Sequence, residues 1–298
     1  MTFMEQGPDN AASVAPAQAA QGSRAGSWQR KLVRLAFLFA AGYVVVVVVM
    51  MFMEESLLFM PSREAYGSWS RPGVEEAHFQ AADGTRLYGW YLPHLQPRAV
   101  VLFACGNAGN VTHRVARLEE LRNEHKLTVF AFDYRGYGRS EGQPNEQGIL
   151  LDARAARSWL AKRAGVAEGV IVLLGESLGG GVMVDLAARD GARGLILENS
   201  FTSLPEVAAY HYPWLPVRMV MRNRLDSLAK IGSYHGPLLQ CHGDADQIIP
   251  FAIGQKLFEA ANQPKRFVHL PGHDHNDPLP REYLAALDAF IAGLPGLE

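Results

Sequence analysis

Short, continuously apolar runs alternate with amphipathic stretches through most of the chain, and one much longer apolar stretch precedes them. Short apolar runs bounded by Gly, Pro or Asp are typical of buried strands. Repeated strand-helix units with apolar strands predict an α/β fold, in which a mostly parallel sheet carries helices on both faces. The predicted parallel strands are residues 99–105, 127–132, 170–175, 194–197, 237–240 and 266–270, and the main predicted helices are 146–164 and 280–292.

Two further segments depart from this alternation. Runs 75–80 and 85–92 flank Asp83-Gly84, a dipeptide typical of a tight hairpin, so they are predicted to open the domain as antiparallel strands. Residues 200–236 contain several prolines and aromatic residues without a clear period, which predicts an insert of irregular helices.

The long apolar stretch, residues 35–53, has no charged residue in nineteen positions. A helix of that length spans about 29 Å, close to the hydrocarbon thickness of a bilayer. We therefore expect an uncleaved signal anchor that crosses the membrane. The alternatives are a cleaved signal peptide and a buried core helix, but no small-residue cleavage site follows Met53 and the stretch has no polar face.

Charge on the two sides of this stretch predicts its orientation. Glu54 and Glu55 follow it, whereas basic residues precede it, so the positive-inside rule places the N-terminus in the cytoplasm. The remaining chain would lie outside the cytoplasm, in the periplasm of a bacterium. The basic residues are Arg24, Arg30, Lys31 and Arg34.

These patterns divide the chain into four parts. Residues 1–31 are rich in Ala, Gln, Gly and Pro, which predicts a disordered cytoplasmic leader. Residues 32–53 form the expected membrane anchor and 54–73 a linker. Residues 74–298 form the expected α/β domain, in which 200–236 are a small helical cap insert.

Composition narrows the classes of function. The 298 residues can hold one large α/β domain, and their formal net charge of −2 offers no basic surface for nucleic acid. The two cysteines are too few for a disulfide scaffold. A globular protein without a nucleic-acid partner is therefore expected.

Gly175-Glu176-Ser177-Leu178-Gly179 ends the apolar run 170–174 and precedes a helix-compatible segment. A strand, a sharp turn and a helix in this order project a serine hydroxyl clear of the sheet, and the glycines let backbone pass closely. Ser177 is therefore the candidate nucleophile.

Polar residues also follow three other predicted strands, in segments 105–109, 242–246 and 272–277. Ligands of open parallel sheets bind at the carboxyl ends of the strands, so these segments should converge on Ser177. His, Asp and Asn side chains there could supply a base, an acid and hydrogen-bond donors to a nucleophilic serine.

The chain order Ser, Asp, His resembles that of the α/β-hydrolase superfamily, over residues 75–297. Cys-Gly-Asn-Ala-Gly at 105–109, together with Asp-Tyr-Arg-Gly-Tyr-Gly at 133–138, is similar to its membrane-anchored, depalmitoylase-like group. The resemblance implies the α/β-hydrolase fold with an eight-stranded sheet. It also implies catalysis without a cofactor.

The resemblance also implies roles for individual residues. The family pattern His-Gly-x-x-Asp matches 242–246 and makes Asp246 the acid, with Asp244 as the alternative. His-Asn-Asp matches 275–277 and makes His275 the base, with His273 two residues away as the alternative.

The same resemblance assigns the oxyanion hole to the backbone N–H groups of Asn107 and Leu178. Cys105 departs from the family, which usually has histidine there, so any hydrogen bond from that histidine is absent. The family's strand order leaves other strands between Cys105 and Cys241, so both should be free thiols.

The function expected from these features is cleavage of acyl esters, thioesters or amides through an acyl-enzyme. The expected partners are a small acyl or lipid-like substrate and the membrane, through residues 35–53, with no metal. One alternative is a catalytically silent binding module of the same fold. Another is a metal site, since His273-x-His275-x-Asp277 superficially resembles a metal motif, although no further histidine follows it.

Overall fold

The computed structural model describes residues 1–2 and 22–295, with the backbone alone for 22–26. The chain divides into two compact units, Met1–Met50 and Met51–Glu298. The nine α-helices of the described residues are α1 (Gly22–Leu58), α2 (Val115–Asn123), α3 (Glu146–Ala164), α4 (Leu178–Asp190), α5 (Leu204–His211), α6 (Val217–Val220), α7 (Ser227–Ile231), α8 (Phe251–Ala260) and α9 (Arg281–Ala292).

The first unit is described mainly by α1. Its most apolar window, within Ser27–Leu58, has a mean hydropathy of 2.7, and no residue of that window is buried. This part of the helix is long and apolar enough to cross a membrane. The helix begins at Gly22, inside the expected leader 1–31, and ends at Leu58, beyond the expected end of the anchor at Met53. Residues 29–32, Gln-Arg-Lys-Leu, are good helix formers and extend the helix to the N-terminal side of the apolar stretch. Residues 3–21 of the expected leader lie outside the described residues.

The second unit is built on an eight-stranded sheet with the order β10-β9-β8-β7-β4-β6-β3-β2. β2 and β3 form the predicted antiparallel hairpin, β3 is antiparallel to β6, and the other neighbours are parallel, which confirms the mostly parallel sheet. The strands are β1 (Met60–Pro61), β2 (Glu75–Gln80), β3 (Arg86–Leu92), β4 (Ala99–Ala104), β5 (Ala108–Gly109), β6 (Leu127–Asp133), β7 (Val172–Glu176), β8 (Gly194–Glu198), β9 (Leu238–Gly243) and β10 (Lys265–Leu270).

Helices cover both faces of this sheet, as β4 shows. All of its side chains are buried. Leu102 belongs to the core that includes residues of α3 and α4, whereas its neighbours Val101 and Phe103 belong to the core that includes residues of α2 and α9. Because successive side chains of a strand point to opposite faces, an apolar run without alternation is required here.

Three features differ from the sequence-based expectations. Helix α8 lies in the segment that follows β9, where the sequence analysis predicts no helix. Residues 54–58 of the expected linker continue α1, and β1 pairs in parallel with β5, so the compact unit begins at Met51 and not at residue 74. In contrast to these three differences, the expected cap, residues 200–236, contains short helices as predicted, namely α5, α6 and α7. No proline interrupts the chain between Met51 and Met60, which lets the helix continue past the apolar stretch.

Candidate active site

Ser177 occupies a sharp turn between β7, which ends at Glu176, and α4, which begins at Leu178. Its backbone has φ 51° and ψ −115°, a conformation that L-residues rarely adopt. Such strain costs on the order of 1–3 kcal/mol and persists only where the surroundings enforce it. The Ser177 N–H donates to the carbonyl oxygen of Glu198 at 2.9 Å, which ties the turn to the adjacent strand β8.

The two glycines of the motif are required by close approach of backbone. A Cβ on Gly175 would lie 2.4 Å from the carbonyl oxygen of Gly179. A Cβ on Gly179 would lie 2.0 Å from the carbonyl oxygen of Ala104, at the end of β4. The glycines therefore let α4 pack directly against the strand ends beside the serine.

His275 and Asp246 complete a hydrogen-bonded relay with Ser177. The Ser177 Oγ lies 3.1 Å from Nε2 of His275, and Nδ1 of His275 lies 2.7 Å from Oδ2 of Asp246. In the tautomer with the proton on Nδ1, the imidazole donates to the carboxylate and Nε2 accepts from the serine hydroxyl. This is the arrangement in which histidine can take the serine proton.

The Asp246 carboxylate is held by several donors. Its Oδ1 accepts from the backbone N–H groups of Ile248 and Ile249 at 2.9 and 2.7 Å. Burial alone would raise the pKa of Asp246, but hydrogen bonds from His242 and His275 hold it well below its usual value. Asp246 therefore stays ionised at neutral pH and can stabilise an imidazolium on His275.

Asp244 and His273, the alternative acid and base, make hydrogen bonds with other residues. Oδ2 of Asp244 is 2.9 Å from Nε2 of His269, and its Oδ1 accepts from the N–H of Gly272 at 2.6 Å. Nδ1 of His273 lies 3.1 Å from the carbonyl oxygen of Pro271. The structure thus brings His275 into hydrogen-bonded contact with Ser177, and Asp246 into contact with His275, whereas neither alternative residue joins this relay.

The histidines considered as a metal motif do not form a cluster of ligands. His275 contacts Ser177 and Asp246, and the carboxylate of Asp277 accepts from the backbone N–H of Asp274 at 2.8 Å. Within residues 1–2 and 22–295, no group of three His, Cys, Asp or Glu side chains is arranged to hold a metal ion.

The segments that carry the two predicted oxyanion donors pack against each other at the start of α4. Leu178 is the first residue of α4, where helix N–H groups lack partners within the helix. Asn107 follows β4, whose end is packed against the start of α4 at Gly179. Among the described residues, neither the Leu178 nor the Asn107 backbone N–H donates a hydrogen bond to another protein group.

The sequence is similar to a known protein family and to several known proteins. A family model described as "Serine aminopeptidase, S33" matches residues 95–230. The chain is 39% identical over 263 residues to the uncharacterized protein Rv2307c of Mycobacterium tuberculosis, covering 87% of this chain and 92% of that protein. It is 33% identical over 224 residues to the alpha/beta hydrolase domain-containing protein WAV2 of Arabidopsis thaliana, covering 68% and 72%. The chain belongs to the α/β-hydrolase superfamily.

A solved structure supports the same fold. The esterase Pf2001 of Pyrococcus furiosus aligns with a TM-score of 0.66 at 18% identity, over 80% of this chain and all of that chain. At this identity the likeness shows the fold alone. Membership of the α/β-hydrolase superfamily supports hydrolase activity in general terms.

The loop after β4 is supported without the histidine that α/β-hydrolases usually have at the position of Cys105. The Tyr134 hydroxyl donates to the carbonyl oxygen of Cys105 at 2.9 Å. Arg114 makes two hydrogen bonds of 3.0 Å to the Glu176 carboxylate, which joins the segment after the loop to the serine turn. These contacts replace the missing side chain as supports of the loop.

Both cysteines are free and buried, as expected from the strand order. Strands β7 and β8 lie between β9, which contains Cys241, and β4, which precedes Cys105. Burial raises the pKa of the Cys105 thiol to about 12, so the thiol is protonated and unreactive at neutral pH.

Asn199 is a site residue that the sequence analysis does not identify. It follows β8 with φ 47°, and its Nδ2 donates to the carbonyl oxygen of His275 at 3.0 Å. Its Oδ1 accepts from the N–H of Gly243 at 3.3 Å. Asn199 thereby holds the loop of the base against the loop of the acid. An asparagine after a strand is compatible with positive φ, but its partners are far away in sequence.

A cavity of about 650 Å³ opens beside His275. Its lining is largely charged or polar and includes Arg114, Arg117, Glu176, Glu198 and Asn199. In the cap, large side chains such as Phe201, Leu225 and Ile231 are buried in the core. Four others are exposed, namely Tyr210, Tyr212, Trp214 and Met219.

Gly179→Ala is expected to destabilise the domain, because its Cβ would meet the Ala104 carbonyl, which is backbone and cannot move aside cheaply. Overpacking of this kind costs on the order of 1–3 kcal/mol. Gly232→Ala is the matched control, since a Cβ there has no atom within 4 Å. Thermal unfolding of both variants tests this, and equal melting temperatures would contradict it.

Proposed function

We propose that this α/β-hydrolase is a membrane-anchored serine hydrolase that cleaves acyl esters, thioesters or amides through Ser177, His275 and Asp246. The observation that carries the proposal is the continuous relay from Ser177 Oγ to His275 Nε2 and from His275 Nδ1 to Asp246 Oδ2. Serine is a weak nucleophile until a base takes its proton, and this relay supplies that base in the required tautomer.

In the acylation step, Ser177 Oγ attacks the carbonyl carbon while His275 Nε2 takes the hydroxyl proton. The resulting imidazolium is stabilised by the ionised carboxylate of Asp246 and then protonates the leaving alcohol, thiol or amine. In the second step His275 takes a proton from water, whose oxygen attacks the acyl carbon. The proton then returns to Ser177 as the acid leaves.

The negative oxygen formed in both steps requires hydrogen-bond donors. The backbone N–H groups of Leu178 and Asn107 would supply them, because the segments that carry them pack together at the start of α4 and neither N–H donates to another described group. Loss of one such donor typically costs about 3 kcal/mol of transition-state stabilisation.

The cavity beside His275 bears on the substrate. Charged side chains such as Arg114, Arg117 and Glu176 line this cavity, and they favour polar acyl or leaving groups over a long alkyl chain. Three aromatic side chains of the cap that lie close together in sequence, Tyr210, Tyr212 and Trp214, are exposed. A small ester, thioester or amide is therefore the proposed substrate class.

The proposed anchor is α1, with residues 35–53 in the bilayer. Its apolar part is unburied and long enough to cross a membrane. The basic residues that precede it place the N-terminus in the cytoplasm and the hydrolase domain outside, by the positive-inside rule.

The first test is hydrolysis of p-nitrophenyl esters, from two-carbon to sixteen-carbon acyl chains, by the full chain in detergent. We expect turnover to fall with chain length and to be lost in Ser177→Ala, because the nucleophile is removed. Labelling of Ser177 by a fluorophosphonate probe gives a second readout. A folded protein that shows neither turnover nor labelling would instead favour the silent binding module.

A second test separates the relay from its neighbours. His275→Ala and Asp246→Asn should each lower kcat by roughly 10³- to 10⁴-fold, because the base or its orientation is lost. The matched controls His273→Ala and Asp244→Asn should stay close to wild type, since neither residue contacts the serine. A control that loses as much activity as its partner would refute the assignment.

The orientation of α1 can be tested in a bacterium by fusing alkaline phosphatase, which is active only in the periplasm, after Met53. We expect an active reporter, because the basic residues keep the N-terminus in the cytoplasm. Activity of a cytoplasmic reporter at the same position, with an inactive phosphatase, would reverse the proposed orientation.

A further inference from the structure

The chain that follows the apolar stretch is hydrogen-bonded into the domain at two places. The sequence predicts a linker over residues 54–73, yet Met51 to Pro61 belong to the compact unit that contains the candidate active site. One contact involves the cap and the other the loop after β4, which carries a proposed oxyanion donor. Both contacts are made by polar groups and can be removed by single substitutions.

The first contact is made by Glu54, whose side chain is buried in the last turns of α1. Its carboxylate accepts from the backbone N–H groups of Arg222 and Asn223 at 3.0 and 2.7 Å, and from Nδ2 of Asn223 at 2.8 Å. Oδ1 of Asn223 accepts in turn from the N–H of Glu146, at the start of α3. Because a buried carboxylate requires such donors, Glu54 fixes the end of α1 to the cap.

The second contact is made by the side chain of Asn107. Its Nδ2 donates to the carbonyl oxygen of Leu58 at 2.6 Å, and its Oδ1 accepts from the Tyr137 hydroxyl at 2.8 Å and from the N–H of Met60 at 3.3 Å. Leu58 is the last residue of α1, where a helix carbonyl has no partner within the helix. The amide of Asn107 therefore satisfies the helix end.

The two contacts lie about one helical turn apart. The first is made by the side chain of Glu54 and the second by the backbone carbonyl of Leu58, four residues later. Directly after the helix, Met60 pairs with Ala108, the residue that follows Asn107. The cap therefore fixes the end of α1 at Glu54. Leu58 and Met60, in turn, bind the loop after β4, residues 105–110, which is called the oxyanion loop below.

We propose that Glu54 and the side chain of Asn107 are positioning residues, through which the segment 54–61 sets the oxyanion loop for catalysis. This inference rests on the proposed function. The backbone N–H of Asn107 is the group that would touch the reacting oxygen, and the side chain acts on it through the peptide that both share. A displacement of about 1 Å at such a group can cost on the order of 10²-fold in rate.

The test compares the full-chain variants Asn107→Ala and Glu54→Ala with the matched control Glu55→Ala, which removes the same charge from the next residue of the helix. Asn107→Ala keeps the backbone N–H and removes only its positioning. We expect both test variants to lower kcat and kcat/KM in parallel on a short p-nitrophenyl ester, by roughly 10- to 100-fold, because the lost interaction acts in the transition state. Glu55→Ala should match wild type.

Hydrogen exchange gives a readout that does not depend on turnover. The backbone amides of residues 105–110 should exchange faster in Glu54→Ala than in wild type or Glu55→Ala, at a temperature well below the melting temperature of each variant. Unchanged exchange and unchanged kcat in folded Asn107→Ala and Glu54→Ala would overturn the positioning role and leave the proposed function intact. Wild type without turnover or probe labelling would contradict the proposed function, and this inference with it.

Discussion

The candidate site depends on the backbone conformation of Ser177. A serine with φ 51° is held there because β7, β8 and α4 meet around it without side chains in the way. Gly175 and Gly179 leave no space for a Cβ, and the Ser177 N–H is bonded to Glu198. The strain is thus balanced by packing and hydrogen bonds of the surrounding sheet, which also aims the hydroxyl at His275.

The parallel sheet then brings the remaining groups to the same edge. Asn107 follows β4, Ser177 follows β7, Asn199 follows β8, and Asp246 and His275 follow β9 and β10. These strands are consecutive neighbours in the order β10-β9-β8-β7-β4. Residues separated by more than a hundred positions therefore become neighbours because the strand ends that carry them are adjacent.

Local patterns sufficed for much of this arrangement. Unbroken apolar runs predict buried strands, and the Gly-x-Ser-x-Gly context predicts the turn at Ser177, because both depend on nearby residues. The roles of Asn199 and Glu54 could not be predicted in this way, since their partners lie on distant loops. Helix α8 is absent from the prediction although its sequence is amphipathic, and the β1–β5 pair is too short to leave a periodic signal.

Glu54 also changes how the charges around the apolar stretch are interpreted. In the sequence it is an acidic flank of the expected anchor, but its carboxylate is buried against Arg222 and Asn223. The carboxylate is therefore explained by the fold of the domain and not by membrane orientation. The positive-inside rule depends on Lys and Arg and gives little weight to acidic residues, so the orientation argument rests on the basic residues before the stretch. Glu54 thus lies where the exposed apolar part of α1 ends and the hydrogen bonds of the folded domain begin.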